Sequence, residues 1–421
     1  MNDLLYWIWL SLAVTPGSKT YAKLRGSFSS PKSIYEAEPY ELRRALGNNT
    51  RDLKRLSTKD LRRAEVILDF MGKRNVHALV YDDPRYPERL RRIYNPPVML
   101  YYAGKLPNFD KRLCVSSVGS REHSVYSKNH TFEIGYDLAV AGAVVISGMA
   151  YGLDSIALAA ANYAGGQTVA VLGSGIDVIY PKEHLTLARL IAKNGAVVTE
   201  YPPGTSPNGA HFPIRNRIIS ALGHVVTVMG GDLNSGALIT ASVAKQQGRP
   251  VYTIPGDLDD PYMHANAYLL RGGAKALLCA DDLVLEYRDR YPDTLVLEYL
   301  LIPQTYKMDT VLRDAGVVSL KDRKRFGYGD DGPNVTVSDE FVKHMEEDRR
   351  KKREKEESER APLPPLSDEE SRIYHKIPDE GCLIDDLVDE NTSASLVQSN
   401  LTLLQIKGVV ELQAGNRVTR K

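Results

Sequence analysis

The sequence predicts an α/β protein built around a parallel β-sheet, with smaller domains before and after it in the chain. Seven apolar, β-rich runs recur between residues 112 and 286, helix-length segments separate them, and Gly- or Ser-rich loops follow most of them. The runs occupy residues 113–118, 143–147, 168–172, 196–199, 224–228, 250–254 and 274–278. Because uniformly apolar strands joined by helical crossovers are typical of parallel sheets, we expect helices to cover both faces.

The rest of the chain divides around this region. Residues 1–90 show helical patterning broken by Gly, Pro and Asn, which predicts a small helical domain of the SAM or helix-hairpin-helix kind. Residues 91–290 hold the sheet, and residues 291–365 combine weak patterning with a run of mixed charges and a proline-rich tether. Residues 366–421 indicate helices and then two short strands around Gly415-Asn416, which suggests a winged helix. A protein-interaction or packing module is an equally good interpretation of that segment.

Charge and cysteine usage limit the partners and the compartment. The 421-residue chain has 54 Lys and Arg against 53 Asp and Glu, a formal charge of +1, so a surface for anions must be a local patch. Cys114, Cys279 and Cys382 lie far apart among apolar neighbours, which predicts buried thiols in a reducing cytoplasm. The apolar run from Leu4 is shorter than the roughly 20 residues of a membrane span, and no Lys or Arg precedes it. We therefore expect a core helix there, and a cytoplasmic protein with no membrane partner.

Residues 204–220 are the most informative stretch. They read G-T-S-P-N-G-A-H-F-P-I-R-N-R-I-I-S, which places Phe212, Arg215 and Arg217 in the opening turns of a helix. Pro213 suits a first helical position, and the first turn of a helix has unpaired N–H groups that can bind an anion. An aromatic ring, fixed positive charge and free amides together suit a single nucleic-acid strand. Alternatively, Phe212 belongs to the core and the arginines pair with carboxylates elsewhere; the stretch alone does not decide between the two.

Ordered motifs extend over most of residues 1–286. They read Y-D-D-P-R-Y-P-E-R-L, V-G-S-R, V-I-S-G-M-A-Y-G-L-D, V-L-G-S-G-I-D-V-I-Y-P, T-E-Y-P-P-G-T, H-F-P-I-R-N-R-I-I-S-A-L, S-G-A-L-I-T-A, Q-G-R-P-V-Y-T-I-P-G and L-L-R-G-G-A. In this order they resemble the DprA/Smf (DNA processing protein A) family. The resemblance implies an extended Rossmann-like core that binds single-stranded DNA without sequence preference, forms a homodimer and helps to load the RecA recombinase in natural transformation.

The resemblance also assigns DNA contacts by motif. The expected residues are Gly119, Ser120 and Arg121 in one turn, Lys182 after a Y-P motif, Phe212, Arg215, Asn216 and Arg217 in the helix, and Asn234, Ser235 and Gly236 in a neighbouring loop. His211 either touches phosphate as well or is a satisfied loop histidine. The chain departs from the family pattern at Leu158, Gly230, Ala265 and Ala267. These departures affect the finer chemistry of the site.

Other functions of such a fold have weaker support. Gly173-x-Gly175 follows a strand, but without a third glycine or a ribose-binding acid it does not predict a dinucleotide cofactor. We expect Asp154 to fix a turn or cap a helix, since no second carboxylate or His stands at ligand spacing. We therefore expect no metal, no cofactor and no catalytic residue. The alternative is a nucleotide-binding or nucleoside-monophosphate phosphoribohydrolase-like protein, yet Ile239 and Thr240 stand where those enzymes need an acid.

Overall fold

The computed structural model divides the chain into two units. It describes residues 3–47, 50–297, 307–317, 366–378, 382–388, 392, 394–413 and 417–420. The units are Met1–Ser338 and Asp339–Lys421. The run of mixed charges predicted within residues 291–365 and the predicted turn at Gly415-Asn416 lie outside the described residues.

A nine-stranded sheet forms the centre of the first unit, in the order β1-β2-β6-β5-β4-β3-β7-β8-β9. Its strands are β1 (His77–Val80), β2 (Met99–Gly104), β3 (Cys114–Val118), β4 (Val144–Ser147), β5 (Thr168–Leu172), β6 (Ala196–Thr199), β7 (Val225–Val228), β8 (Val251–Thr253) and β9 (Lys275–Ala276). Strands β3 to β9 run parallel, whereas β2 is antiparallel to both of its neighbours, β1 and β6. Each of the seven apolar runs contributes a strand, so the predicted α/β fold is confirmed.

Helices cover both faces of this sheet. Every residue of β3 to β7 is buried, and because successive side chains of a strand point to opposite faces, neither face is open. The helices of the unit are α1 (Asp3–Ala13), α2 (Thr20–Arg25), α3 (Pro31–Glu36), α4 (Pro39–Leu46), α5 (Thr50–Thr58), α6 (Arg62–Arg74), α7 (Glu88–Arg91), α8 (Val125–Val140), α9 (Leu153–Tyr163), α10 (Leu185–Asn194), α11 (His211–Leu222), α12 (Gly236–Gln246), α13 (His264–Arg271), α14 (Asp281–Tyr287) and α15 (Met308–Asp314).

The helical region before the sheet is shorter than predicted. The sequence predicted helices up to residue 90, but His77–Val80 is an edge strand paired with β2. A run of four residues, half of them partly exposed, has too little periodicity to indicate a strand before its partner is known. The run from Leu4 forms the core helix α1, in which Ile8 and Leu10 are fully buried. Among the helices of the described ranges, none is both long and apolar enough to cross a membrane.

The cysteines are less buried than predicted. Cys114 begins β3 and is buried, but Cys279 is exposed and Cys382 is half-buried. Cys279 follows β9 at the outer edge of the sheet, where apolar neighbours in sequence do not guarantee a covered position.

The described residues of the second unit include two α-helices and a small antiparallel sheet. The helices are α16 (Asp368–Lys376) and α17 (Ala394–Ile406), and strands β10 (Cys382–Leu383), β11 (Val410–Gln413) and β12 (Arg417–Arg420) pair in the order β10-β12-β11. A capping box begins α16: the hydroxyl of Ser367 accepts from the amide of Glu370, whose carboxylate accepts from the amide of Ser367. Assignment of this unit to the winged-helix class stays a prediction.

The order of the strands creates a crevice. From β3 the chain adds strands in one direction (β4, β5, β6), and from β7 it adds them in the other (β8, β9). The loops that follow β3 and β7 therefore diverge at the carboxyl edge of the sheet. Ligands of open parallel sheets bind at such a switch point.

Candidate nucleic-acid interface

An open cleft of about 280 Å³ lies at this switch point, between the loops that follow β3 and β7 and the start of α11. Nine residues predicted from the sequence line it: Gly119, Ser120, Arg121, Phe212, Arg215, Asn216, Asn234, Ser235 and Gly236. We call this the Phe212 cleft. Three further predicted residues, Lys182, His211 and Arg217, do not line it.

The ring of Phe212 is half-buried and lies close to two guanidinium groups. The guanidinium carbon of Arg121 is 5.9 Å from the ring centroid, and that of Arg215 is 5.7 Å from it. Both distances allow a cation–π attraction. The ring of Tyr180 lies 5.6 Å away in a tilted arrangement. Phe212 is thus held at the lip of the cleft and is not part of the hydrophobic core, in contrast to one of the alternatives left open by the sequence.

Arg215 is buried beneath this ring. Its Nη1 donates to the carbonyl of Gly148 at 2.7 Å and to the carbonyl of Val171. Burial lowers the pKa of Arg215 to about 10, although the carboxylate of Asp154 acts in the opposite direction. Since the group is still protonated at neutral pH, Arg215 supplies a fixed positive charge under the floor of the cleft.

Asp154 ties the loops of the cleft together. Its carboxylate accepts the amide of Gly119 at 3.2 Å and the amide of Gly148 at 3.1 Å. Burial raises the pKa of Asp154, while Arg215 and these amides oppose the increase. A carboxylate with its oxygens committed to loop amides fixes turns, as the sequence predicted, and is not free to bind a metal. The described residues include no group of three or more His, Cys, Asp or Glu that could hold a metal ion.

Backbone groups form the remaining wall of the cleft. The amide of Ser120 donates to the carbonyl of Gly230 at 2.9 Å, which fastens the loop after β3 to the loop after β7. A Cβ at Gly119 would lie 2.5 Å from Leu153, so only glycine allows this approach. Helix α12 starts at the cleft, with the hydroxyl of Ser235 accepting from Ala237 and open space around Gly236. The first turn of α12 therefore presents N–H groups and the positive end of its dipole to the cleft.

Comparison with known proteins finds matches over the part of the chain that forms the sheet. The family model described as DNA recombination-mediator protein A matches residues 77–288. The chain is 38% identical to DNA processing protein DprA of Bacillus subtilis over 53% of this chain and 75% of that protein. It is 32% identical to protein Smf of Synechocystis over 67% of this chain and 72% of that protein.

The chain belongs to the DNA recombination-mediator protein A (DprA/Smf) family. A solved relative has the same fold: the X-ray structure of DprA from Streptococcus pneumoniae aligns with a TM-score of 0.59 at 29% identity, over 68% of this chain and 98% of that one. The resemblance stated from the motifs is confirmed, and the protein is a member of a family of DNA-processing proteins.

Within this DprA/Smf member, Arg217 does not serve the cleft. It is 5% exposed, and its Nη2 lies 2.7 Å from both carboxylate oxygens of Glu200. Here the structure corrects the expectation of a DNA contact in favour of the open alternative, an ion pair. The signal was available in the sequence, because residues two apart on a helix do not share a face. Arg215 and Arg217 therefore cannot both point into one cleft.

Neither His211 nor Lys182 lines the cleft. The Nδ1 of His211 is 3.0 Å from the carbonyl of Gly173, and its ring stacks on Tyr201 with centroids 4.2 Å apart. Burial lowers the pKa of His211, so it is neutral at physiological pH and carries no charge for a phosphate. This geometry fits the satisfied loop histidine that the sequence left as an alternative. Lys182 is exposed and begins a short 3-10 turn two residues after Tyr180.

Sequence reasoning missed three polar residues of the cleft. Glu122, Asp232 and Tyr262 all line it. Glu122 directly follows Arg121, and Asp232 lies two residues before Asn234, so loop position could have indicated both acids. Tyr262 reaches the cleft because its carbonyl accepts from the amide of Gly231 at 2.6 Å, a contact that no local pattern predicts. The acids reduce the net positive charge of the cleft, which leaves Arg121 as its main accessible cation.

Proposed function

We propose that this protein binds single-stranded DNA in the Phe212 cleft. One observation carries the proposal: a half-buried aromatic ring lines a switch-point crevice, within cation–π distance of the guanidinium groups of Arg121 and Arg215. A ring of this kind can stack on any base, and single strands expose base faces that duplex DNA hides. Binding without sequence preference follows from that chemistry.

The phosphate backbone would follow the loops of the cleft. Arg121 is partly exposed and would pair with one phosphate, while the N-terminal turn of α12 at Asn234, Ser235 and Gly236 offers amides to another. Asn216, beside Arg215 on α11, would hydrogen-bond a base or sugar. Lys182 would meet the strand where it leaves the cleft. Glu122 and Asp232 make the fit selective, because each repels a phosphate that is out of register.

The biological role that we propose is the one implied by the family. The protein would act in the cytoplasm without catalysis, protect incoming DNA and assist the loading of the RecA recombinase in natural transformation. It would work as a homodimer through the sheet domain. Support for the dimer comes from the edge strand β9, which pairs on one side with β8, and from the exposed side chains of Tyr268 and Leu278 beside it.

A binding titration tests the DNA proposal. Short fluorescent oligo-dT, duplex of equal length and RNA are titrated with the full chain over a range of salt concentrations, with the Phe212→Ala and Arg121→Ala variants alongside. We expect oligo-dT to bind more tightly than duplex, and both variants to weaken oligo-dT. Duplex bound as tightly as oligo-dT would overturn the stacking mechanism.

The same preparation tests the enzymatic alternative. Asp154 is committed to loop amides, and Ile239 and Thr240 line the cleft where a hydrolase would need an acid. We therefore expect no free base when the protein is incubated with AMP. Sustained release of adenine, lost on mutation of Glu122 or Asp232, would replace DNA binding as the proposed function.

A further inference from the structure

A second cationic site lies at the opposite, amino edge of the same sheet. It consists of Arg89 from α7, Arg249 just before β8 and Arg290 after α14, near His224 and Tyr291. The guanidinium carbon of Arg290 lies 5.5 Å from the ring centroid of Tyr291. We call this group the amino-edge cluster. It is separated from the Phe212 cleft by the length of the five-residue strand β3, roughly 15 Å.

The contacts within the cluster are close and mostly buried. The Nη1 of Arg89 is 2.6 Å from the Nε2 of His224, and the hydroxyl of Tyr291 is 2.5 Å from the same nitrogen. The other ring nitrogen, Nδ1, accepts from the amide of Cys114 at 3.0 Å. Burial and the surrounding charges of Arg89, Arg290 and Arg249 lower the pKa of His224 to about 2. The imidazole is therefore neutral. It adds no positive charge to that of the three surrounding arginines.

Part of this arrangement has a structural explanation. Helices between parallel strands end at the amino edge, and arginine often binds their last carbonyls. Arg89 does so: its Nη2 donates to the carbonyl of Leu222, the last residue of α11, at 2.9 Å. Asp110 also offsets its charge, with 3.2 Å between carboxylate and guanidinium. These contacts account for both Nη atoms of Arg89 but not for its Nε.

Arg249 and Arg290 are not explained in this way. Within the described part of the chain, neither guanidinium has a carboxylate within salt-bridge distance. Arg249 makes one long side-chain hydrogen bond, 3.4 Å to the carbonyl of Arg89, and its pKa is lowered by burial and by Arg89, Arg290 and Arg92. The Nε atoms of Arg89 and Arg249 are buried without a partner. Buried donors left unpaired beside like charges are costly unless an anion completes them.

We propose that the amino-edge cluster is a binding site for a phosphate group. The two uncompensated charges, Arg249 and Arg290, match the charge of about −1.5 to −2 on a phosphate monoester or two consecutive phosphodiesters. Guanidinium groups supplied by three different segments of the chain suit phosphate oxygens, and the hydroxyl of Tyr291 adds a neutral donor. The site stands independently of the proposed DNA cleft, with which it shares no residue.

Inorganic phosphate is the probe for the first experiment. It is titrated into the full-length Arg121→Ala chain, which weakens the Phe212 cleft, and binding is followed by broadening of the ³¹P signal at constant ionic strength. Adding Arg290→Gln should weaken phosphate binding roughly tenfold, the effect of losing one charge-assisted contact. Arg290 is exposed, so this variant is expected to fold. Arg288→Gln is the matched control, since Arg288 lies two residues away and pairs with Asp289.

Two results would overturn the site. The first is that inorganic phosphate does not bind to the Arg121→Ala chain, because the cluster would then lack the proposed ligand. The second is that phosphate binds equally with and without Arg290→Gln, because the phosphate would then bind at a site that does not include Arg290. A polyglutamate peptide that binds through Arg290 when phosphate does not would show that the ligand is a carboxylate.

A second arm identifies the source of the phosphate. Oligo-dT of increasing length is titrated into the chain with native Arg121, with and without Arg290→Gln. If the site holds a nucleic-acid backbone, the variant should bind short oligomers normally and long ones with lower affinity and a shallower salt dependence. If the site holds a free phosphate or nucleotide, oligomers of every length should bind equally while inorganic phosphate is lost. Either result supports the phosphate site. This second arm rests on DNA binding in the Phe212 cleft, whereas the titration with inorganic phosphate does not.

Discussion

The two edges of the central sheet offer an anion different chemistry. At the carboxyl edge, the loops after β3 and β7 are rich in glycine and serine, α12 begins there, and Arg121 is the main accessible cation. At the amino edge, α11 ends at Leu222 and three arginines gather around a neutral histidine. Helix N-termini carry partial positive charge and C-termini partial negative charge. The carboxyl edge can therefore bind phosphate largely through its backbone, whereas the amino edge needs side-chain cations.

The arginines of this fold have different roles. On α11, Arg215 lies under the Phe212 cleft, whereas Arg217 forms a buried ion pair with Glu200 on another side of the helix. The first supports an interface and the second fastens the helix that carries it. Each of the following predictions removes one element of one edge.

The largest effect is expected from the fastening of α11. Glu200→Gln leaves the guanidinium of Arg217 buried without its counter-charge, which should lower the free energy of unfolding by roughly 3–5 kcal/mol. Urea denaturation measures it. The matched control is Asp69→Asn, which breaks an exposed pair with Lys73 and should cost less than about 1 kcal/mol. Equal effects of the two variants would mean that burial of the Glu200 pair does not matter.

The next effect concerns stacking at the carboxyl edge. Phe212→Ala should weaken oligo-dT by roughly 1–3 kcal/mol, the usual contribution of an aromatic ring under a base. Fluorescence anisotropy measures the change, with Tyr163→Ala as the control. Tyr163 is 55% exposed and ends α9 far from the loops of the cleft, so its loss should leave affinity unchanged. If the Phe212→Ala chain bound oligo-dT with native affinity, the ring of Phe212 would not contribute to binding.

Acid should destabilise the protein through the amino edge. The folded-state pKa of His224, about 2, is below its ordinary value, so the unfolded chain binds a proton that the folded chain does not. Stability is therefore present above about pH 6.5 and is lost as the pH falls toward the folded pKa, by about 2 kcal/mol between about pH 7 and about pH 5. His224→Gln should remove that part of the pH dependence in urea denaturation. A variant with the wild-type pH profile would show that His224 titrates normally.

The smallest effect should come from the accessible charge of the cleft. Arg121→Gln should lower the affinity for all single strands alike and reduce the slope of log affinity against log salt by about 0.7, the value for one phosphate contact. Arg121→Lys should retain most of the slope because it keeps the charge. If Arg121→Gln changed affinity but not the slope, Arg121 would act through the ring of Phe212 and not through phosphate.

The sequence predicted most of the sheet and most of the cleft, for a physical reason. Buried parallel strands are continuous apolar runs, and the loops at their carboxyl ends carry the ligand-binding residues, so strand order along the chain already gathers Arg121, Phe212 and Ser235. The edge strand at His77–Val80 was missed because a short, half-exposed strand depends on its partner. Helix spacing shows that Arg215 and Arg217 face different sides of α11, but which of the two turns away from the cleft depends on the ion pair with Glu200, 17 residues from Arg217. Tyr262 and the amino-edge cluster likewise depend on tertiary contacts alone.

The central claim is that a base stacks on Phe212, and photo-crosslinking tests it most directly. An oligo-dT carrying 5-iododeoxyuridine is irradiated with the full chain, and the adduct is located by mass spectrometry of the peptides. The account predicts a principal adduct at Phe212 that Arg121→Ala diminishes. Adducts confined to other aromatic residues, such as Tyr40 or Tyr163, with none at Phe212, would contradict it.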